Sequence, residues 1–273
     1  MRKKHFYTTG NNFISNVLSK RRMAGILLFL IMGGILLTGC GKKDETELLI
    51  GAAASLELAM KEIQPLFEKQ YPETQLSFTF ASSGTIEQQI REGAPVDVFL
   101  SAAKKQIASL EKEELLLPDS GVDLFRNEVV LIVPADSNLE ITEFMDITKA
   151  DIIAIGDPES VPAGQYAKVI FERLGIWEAV YSKATLGKAV TEVASWVGSG
   201  DAQAGVVYKT DAKQNTKLKI VASAPEGEGS IAIYPGAIVK NTKSEAQAKE
   251  FLAYLDTKEA EEIMVKYGFT IID

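Results

Sequence analysis

Four places in the chain put donor-bearing residues where a strand passes into a helix. Ser55 closes an apolar run, Ser82-Ser83-Gly84-Thr85 follows a second, Pro162-Ala163-Gly164 precedes a helical pattern at Gln165, and Tyr208 ends a short apolar segment before Asp211. Helix N-termini carry unpaired N–H groups and the positive end of the helix dipole, so such junctions suit an anion. In open α/β sheets, ligands bind beyond the carboxyl ends of the strands. Each feature alone has a plainer reading. A serine there is an N-cap worth about 1 kcal/mol, Pro-Ala-Gly is a turn, and Tyr208 is a half-buried core edge.

Other chemistry is excluded by scarcity. The 273 residues contain one histidine, His5, and one cysteine, Cys40, so no disulfide framework, zinc cluster or Cys/His pair can be assembled. No segment matches a phosphate-loop or dinucleotide glycine fingerprint. Asp157-Pro158-Glu159 offers two carboxylates, but Asp and Pro together are the composition of a turn. The charged runs Lys61-Glu62, Glu111-Lys112-Glu113-Glu114 and Glu259–Glu262 read as solvated helix faces. A net charge of −8 argues against a nucleic-acid partner, which needs a basic face.

The N-terminus reads as an export signal. Residues 1–39 hold six basic residues and no acid, and Lys20-Arg21-Arg22 precedes an apolar run from Ala24 to Leu36. That run is short of the roughly 20 residues needed to span a bilayer. Leu37-Thr38-Gly39-Cys40 resembles a bacterial lipobox, with cleavage before Cys40 and lipid on its thiol; the plainer alternative is an uncleaved anchor. Losing 1–39 leaves 23 basic residues against 37 acids, a net charge of −14, and removes the histidine. Residues 40–47 then form a polar, lipidated tether.

From Leu48 the apolar pattern alternates between periods. Strands are predicted at Leu48–Ala53, Gln75–Phe80, Val96–Leu100, Asn127–Pro134, Ile152–Ile155, Ala204–Val207, Ile220–Ser223 and Ile231–Val239. Between them lie helices at Leu56–Phe67 (which Pro65 should kink or restart), to about Glu92, at Ala103–Glu113, through Leu174, at Gly187–Val197, Ser244–Leu255 and Lys258–Tyr267. The βα rhythm predicts an α/β fold of mostly parallel sheets flanked by helices, in two lobes around a hinged cleft. The lobes comprise 48–126 with 236–273, and 127–235.

Five blocks, in order, resemble the molybdate-binding proteins of ABC importers. They are Ala52-Ala53-Ala54-Ser55-Leu56, Phe80–Thr85, Gly93–Ala102, Gly156–Ala167 and Gly205-Val206-Val207-Tyr208, with Tyr267-Gly268-Phe269-Thr270 at the end. Asp157-Pro158-Glu159…Val161-Pro162-Ala163-Gly164 is the most specific of them. The resemblance implies a type II periplasmic-binding-protein fold and an oxyanion held by the hydroxyls of Ser55, Ser83 and Tyr208 and the N–H groups of Ala163 and Val190. Ser82 adjoins this set, and Gly84 stands where some relatives carry a further serine. Periodicity alone makes Val190 a core residue. The implied protein is no enzyme and uses no cofactor. It is a monomer, lipid-anchored at Cys40 on the extracytoplasmic face of the cell membrane, passing molybdate or tungstate to the transmembrane permease subunits. A receptor for sulfate or phosphate is the alternative. A lipoprotein enzyme with a serine nucleophile would need a lysine partner, for which Lys61 and Lys104 are the candidates by sequence.

Overall fold

In the computed structural model the described residues are 45–272. The export signal, Cys40 and most of the tether lie outside them. Thr46 and Glu47 do not belong to a tether: they open β1 (Thr46–Ala53) and pair with Thr74 and Gln75. This strand buries Leu48, Ile50, Ala52 and Ala53, as suits a central strand covered on both faces. A single 3₁₀ turn, Ala54–Leu56, leads into α1 (Glu57–Gln70). Pro65 sits inside α1 without ending it. Its apolar stripe, Ala59, Met60, Ile63 and Phe67, is buried on both sides of the proline and offsets the lost backbone bond.

The chain continues through β2 (Thr74–Ala81), α2 (Ser83–Arg91), β3 (Val98–Leu100) and α3 (Lys104–Lys112). It then enters β4 (Val122–Pro134), which starts earlier than its apolar half suggests because Val122–Glu128 is solvated on one face. A 3₁₀ stretch, Phe144–Lys149, precedes β5 (Ile153–Gly156), α4 (Pro162–Arg173), α5 (Trp177–Tyr181), β6 (Ala184–Gly187), α6 (Val190–Ser199), β7 (Ala204–Tyr208), α7 (Lys209–Lys213) and β8 (Leu218–Ser223). The last elements are β9 (Ile231–Ile238), α8 (Glu245–Leu255), α9 (Lys258–Tyr267) and β10 (Thr270–Ile271). Gly187, placed in a helix by sequence, ends the edge strand β6; α6 starts three residues later.

Strand order is β2-β1-β3-β9-β4-β7-β5-β6, with β8 and β10 also paired to β4. Pairs made within the βα rhythm are parallel: β1 with β2 and β3, and β5 with β6 and β7. Both long crossing strands run antiparallel to their neighbours. Residues Val122–Glu128 of β4 pair with β9, whereas Val129–Pro134 pair with β7 and β8, so one strand joins two sheet halves. The first half is β1, β2, β3, β9 and β10; the second is β5, β6, β7 and β8. Strand ends from both halves meet beside this shared strand.

Candidate functional site

Ser55, Ser83, Ala163, Val190 and Tyr208 line one small cavity, together with Ala53, Ala54, Ala81, Ser82, Ala102, Val161 and Pro162. The space between atoms there is small, about 210 Å³ with the open solvent at its mouth included. Among the described residues lining it there is no charged side chain.

The two serines at the start of α2 divide the work. Ser82 has extended backbone and caps the helix: its Oγ accepts the Thr85 N–H at 3.2 Å and is 2.8 Å from Thr85 Oγ1. Ser83, the first helical residue, is fully buried, and its Oγ accepts the Ala102 N–H at 2.9 Å. That bond occupies a lone pair and leaves the Ser83 proton to donate into the cavity.

Ser55 lies in the 3₁₀ turn after β1, with its Oγ 2.8 Å from the Tyr234 hydroxyl. Asn127 Nδ2 donates to Tyr234 at 3.3 Å and to Thr210 Oγ1 at 2.9 Å. Either hydroxyl can donate across the Ser55–Tyr234 contact; when the Tyr234 proton turns to Ser55, the Ser55 proton is freed for a ligand. Tyr234 and Asn127 are not legible as site residues in the sequence. Their one available signal was a polar group within each apolar crossing strand.

From the second half come two backbone donors. Pro162 takes the first position of α4 and Ala163 the second, both buried; Val161 precedes them in extended conformation. Val190 is the first residue of α6 and is 4% exposed. Both amides lie in first turns, where no carbonyl of the same helix can accept them. Val190 thus has an apolar side chain in the core and an N–H at a helix start.

Tyr208 ends β7 with 1% of its surface exposed. Its ring meets those of Tyr166 and Tyr234 edge-on, with centroids 6.4 and 5.6 Å away. No hydrogen bond of full geometry reaches the hydroxyl among the described residues; the Tyr234 hydroxyl is near enough for a weak interaction that favours the protonated phenol. Burial, reinforced by Tyr234, Tyr166 and Asp211, holds the phenol well above its usual pKa, so it stays a neutral O–H donor. A buried donor without an acceptor is costly, and an anion in the cavity would supply one.

A larger depression, about 720 Å³ with open solvent included, shares Ala54 and Ser55 with the first and is lined also by Glu57, Thr191, Thr210, Asp211, Gln214 and Tyr267. Its two carboxyl groups make it the poorer site for an anion. Asp211 is partly exposed there, yet loss of hydration pushes its pKa up to about 7; its carboxylate accepts the Tyr208 N–H at 3.3 Å. A folded pKa above the unfolded one means that the fold favours the protonated acid. The stability this contributes is complete below about pH 4 and is lost as pH rises through 7. Asp211→Asn should therefore raise the melting temperature at pH 8 by about 2–4 °C, near 1 kcal/mol, and change it little at pH 4. That is well short of the ~4 kcal/mol carried by three pKa units, because a partly exposed carboxyl is screened by solvent. Melting curves at the two pH values check this; an equal effect at both would contradict it.

The lysines that a serine nucleophile would need are engaged elsewhere. Lys61 bonds Glu57 on the surface of α1, and Lys104 pairs with Asp123.

Comparison with known proteins agrees with this architecture. The family model described as "Bacterial extracellular solute-binding protein" matches residues 48–270. A Bacillus subtilis protein, provisionally named an ABC transporter substrate-binding lipoprotein, is 38% identical over 250 residues, covering 91% of this chain and 96% of its own. The molybdate-binding protein ModA of Haemophilus influenzae is 34% identical over 255 residues, covering 92% and 99%. The periplasmic molybdate-binding protein of Azotobacter vinelandii superposes with a TM-score of 0.74 over 83% of this chain and all of that one; at 22% identity this speaks for the fold.

Proposed function

The chain belongs to the bacterial extracellular solute-binding proteins, and from that premise we infer that it is the substrate-binding component of an ABC importer, capturing molybdate and delivering it to the membrane permease. It is a solute-binding protein, not an enzyme. We assign the oxyanion to the hydroxyls of Ser55, Ser83 and Tyr208 and the amides of Ala163 and Val190, and include tungstate, of the same shape and charge, as a second ligand. We divide the lobes where β4 changes partner, with residues 46–128 and 231–272 in one and 129–224 in the other, closing around the ion; the expected bounds at 126/127 and 235/236 move because β9 pairs along its length with the first half of β4 and with β3. The signal and Cys40 lipobox support attachment to the extracytoplasmic face of the membrane.

One observation carries the site assignment: a buried tyrosine hydroxyl without a partner faces a small, uncharged cavity where three helix starts converge. Each hydrogen bond to a charged acceptor contributes roughly 1.5–3 kcal/mol. Five of them, less the costs of association and closure, leave room for sub-micromolar affinity, although such contributions do not add simply. Fixed neutral donors also select by size, since a smaller sulfate would stretch some bonds and leave buried donors unpaired.

Thermal unfolding with a panel of oxyanions tests this. Molybdate or tungstate at 1,000 times its Kd should stabilise the fold by about 4 kcal/mol, raising the melting temperature by about 8–16 °C. Sulfate and phosphate at the same concentration should shift it by a small fraction of that. Equal shifts from all four would leave a general oxyanion receptor, and no shift from any would remove the reading.

A further inference from the structure

The Asp-Pro-Glu-Ser turn opens the most specific block of the sequence, yet the turn itself contributes no donor to the cavity. It does make a backbone contact with the other sheet half. The Gly84 N–H, in the first turn of α2, donates to the Ser160 carbonyl at 3.0 Å. We propose that Gly84 and Ser160 form the closure stop of the cleft, fixing how near its two sides approach, and that Asp157 is the positioning residue that holds the Ser160 carbonyl in place. This rests on the oxyanion reading above.

In this chain's geometry the contact leaves no room for a side chain at position 84. A Cβ built there would lie 2.3 Å from the Ser160 oxygen, 2.8 Å from its Cα and 2.9 Å from its carbonyl carbon. Real Cβ contacts essentially never fall below 3.0 Å, so any other residue must push the two sides at least 0.7 Å apart. Ser83 rides on one side of that contact and Ala163 on the other. A donor moved from about 2.9 to about 3.6 Å is no longer hydrogen-bonded. A glycine therefore keeps the opposing donors within reach of a single small ion.

Several bonds fix the acceptor. Asp157 Oδ1 accepts the Glu159 N–H at 3.0 Å, and Oδ2 accepts the Ser160 hydroxyl at 3.2 Å. The Ser160 and Val161 amides both donate to the Asp157 carbonyl, at 3.2 and 2.8 Å, and the Asp157 amide donates to Gly187 O at 2.8 Å. The turn is thus bound to itself and to the end of β6, and presents the Ser160 carbonyl from a rigid base. Two further bonds cross nearby, Gln106 Nε2 to Gln165 Oε1 at 3.3 Å and Tyr166 hydroxyl to Ala102 O at 3.5 Å, both through side chains that can adjust.

Calorimetric titration with molybdate, with small-angle scattering before and after ligand, tests the proposal on the whole protein. The unsubstituted protein should bind and contract. Gly84→Ala should melt no lower without ligand, since alanine favours the helix and Gly84 has an ordinary helical backbone, but should bind about 10–100-fold more weakly and contract less. Asp157→Ala should move binding the same way and Asp157→Asn, which keeps the Oδ1 acceptor, should recover most of it. Binding and contraction of Gly84→Ala equal to the unsubstituted protein would overturn the closure stop alone. An unsubstituted protein that neither binds nor contracts with any of the four oxyanions would overturn the function reading first.

Discussion

Tyr208→Phe is expected to weaken molybdate binding by about 1.5–3 kcal/mol, roughly 10–150-fold, while the free protein melts at the same temperature or slightly higher. The two effects have opposite sign for one reason. In the folded chain the Tyr208 hydroxyl is buried without a partner, so the fold bears its desolvation and gains no bond in return. Phenylalanine removes that cost and keeps the edge-on contacts with Tyr166 and Tyr234. With the oxyanion present, the same hydroxyl becomes a charge-assisted donor in a site closed to water, and its loss is felt in full. Titration calorimetry with melting curves separates the two; unchanged affinity would remove Tyr208 from the ligand's contacts, and a large fall in the free protein's melting temperature would make it structural.

How legible such a site is depends on which atoms do the donating. Ser55, Ser83 and Tyr208 stand out because polar residues end apolar runs, and the structure brings all three to one cavity. Ala163 and Val190 have apolar side chains, so periodicity can place them only in the core, where the side chains indeed lie. Their amides matter for being at helix starts, and a shift of α6 by three residues, from Gly187 to Val190, decides whether one of them is available at all. The resemblance to a family supplied those two; composition could not. Asn127 and Tyr234 are illegible for another reason. Their bond joins residues 107 apart, on crossing strands whose register only the fold fixes. Short elements such as β6 and α7 escape as well, because four or five half-exposed residues carry too little periodicity.

The charge balance sharpens the mechanism. Without residues 1–39 the chain has a net charge of −14, and Asp211 lies just behind Tyr208. Long-range attraction therefore cannot gather a dianion here, and surface charge is screened beyond about 8–10 Å at physiological salt. Binding must come from dipoles fixed at short range, which makes affinity a matter of tenths of an ångström in donor placement.

Gly164→Ala should for that reason be the most damaging small change at the site. A Cβ on Gly164 would lie 2.0 Å from the Gly156 carbonyl oxygen and 2.5 Å from its carbon, at the point where the first turn of α4 rests on the end of β5. Reaching even 3.0 Å requires 1.0 Å of movement between two backbones of the same half, with Val161 already packed against Gly156. Overpacking costs about 1–3 kcal/mol, and a clash between two backbones lies in the upper part of that range, so about 1–2 kcal/mol remains after the roughly 1 kcal/mol that alanine returns in helix propensity. The free protein should thus melt about 2–8 °C lower. Ala163 must move with the turn, so molybdate binding should fall more than tenfold as well. Gly84→Ala has a comparable clash but meets the opposite half, which on the proposed closure swings away in the free protein. The contrast between the two alanines, one lowering both stability and affinity and the other affinity alone, is what a cleft that opens and closes requires. A melting temperature for Gly164→Ala equal to that of the unsubstituted protein would contradict the rigid packing of α4 on β5 on which the Ala163 donor depends.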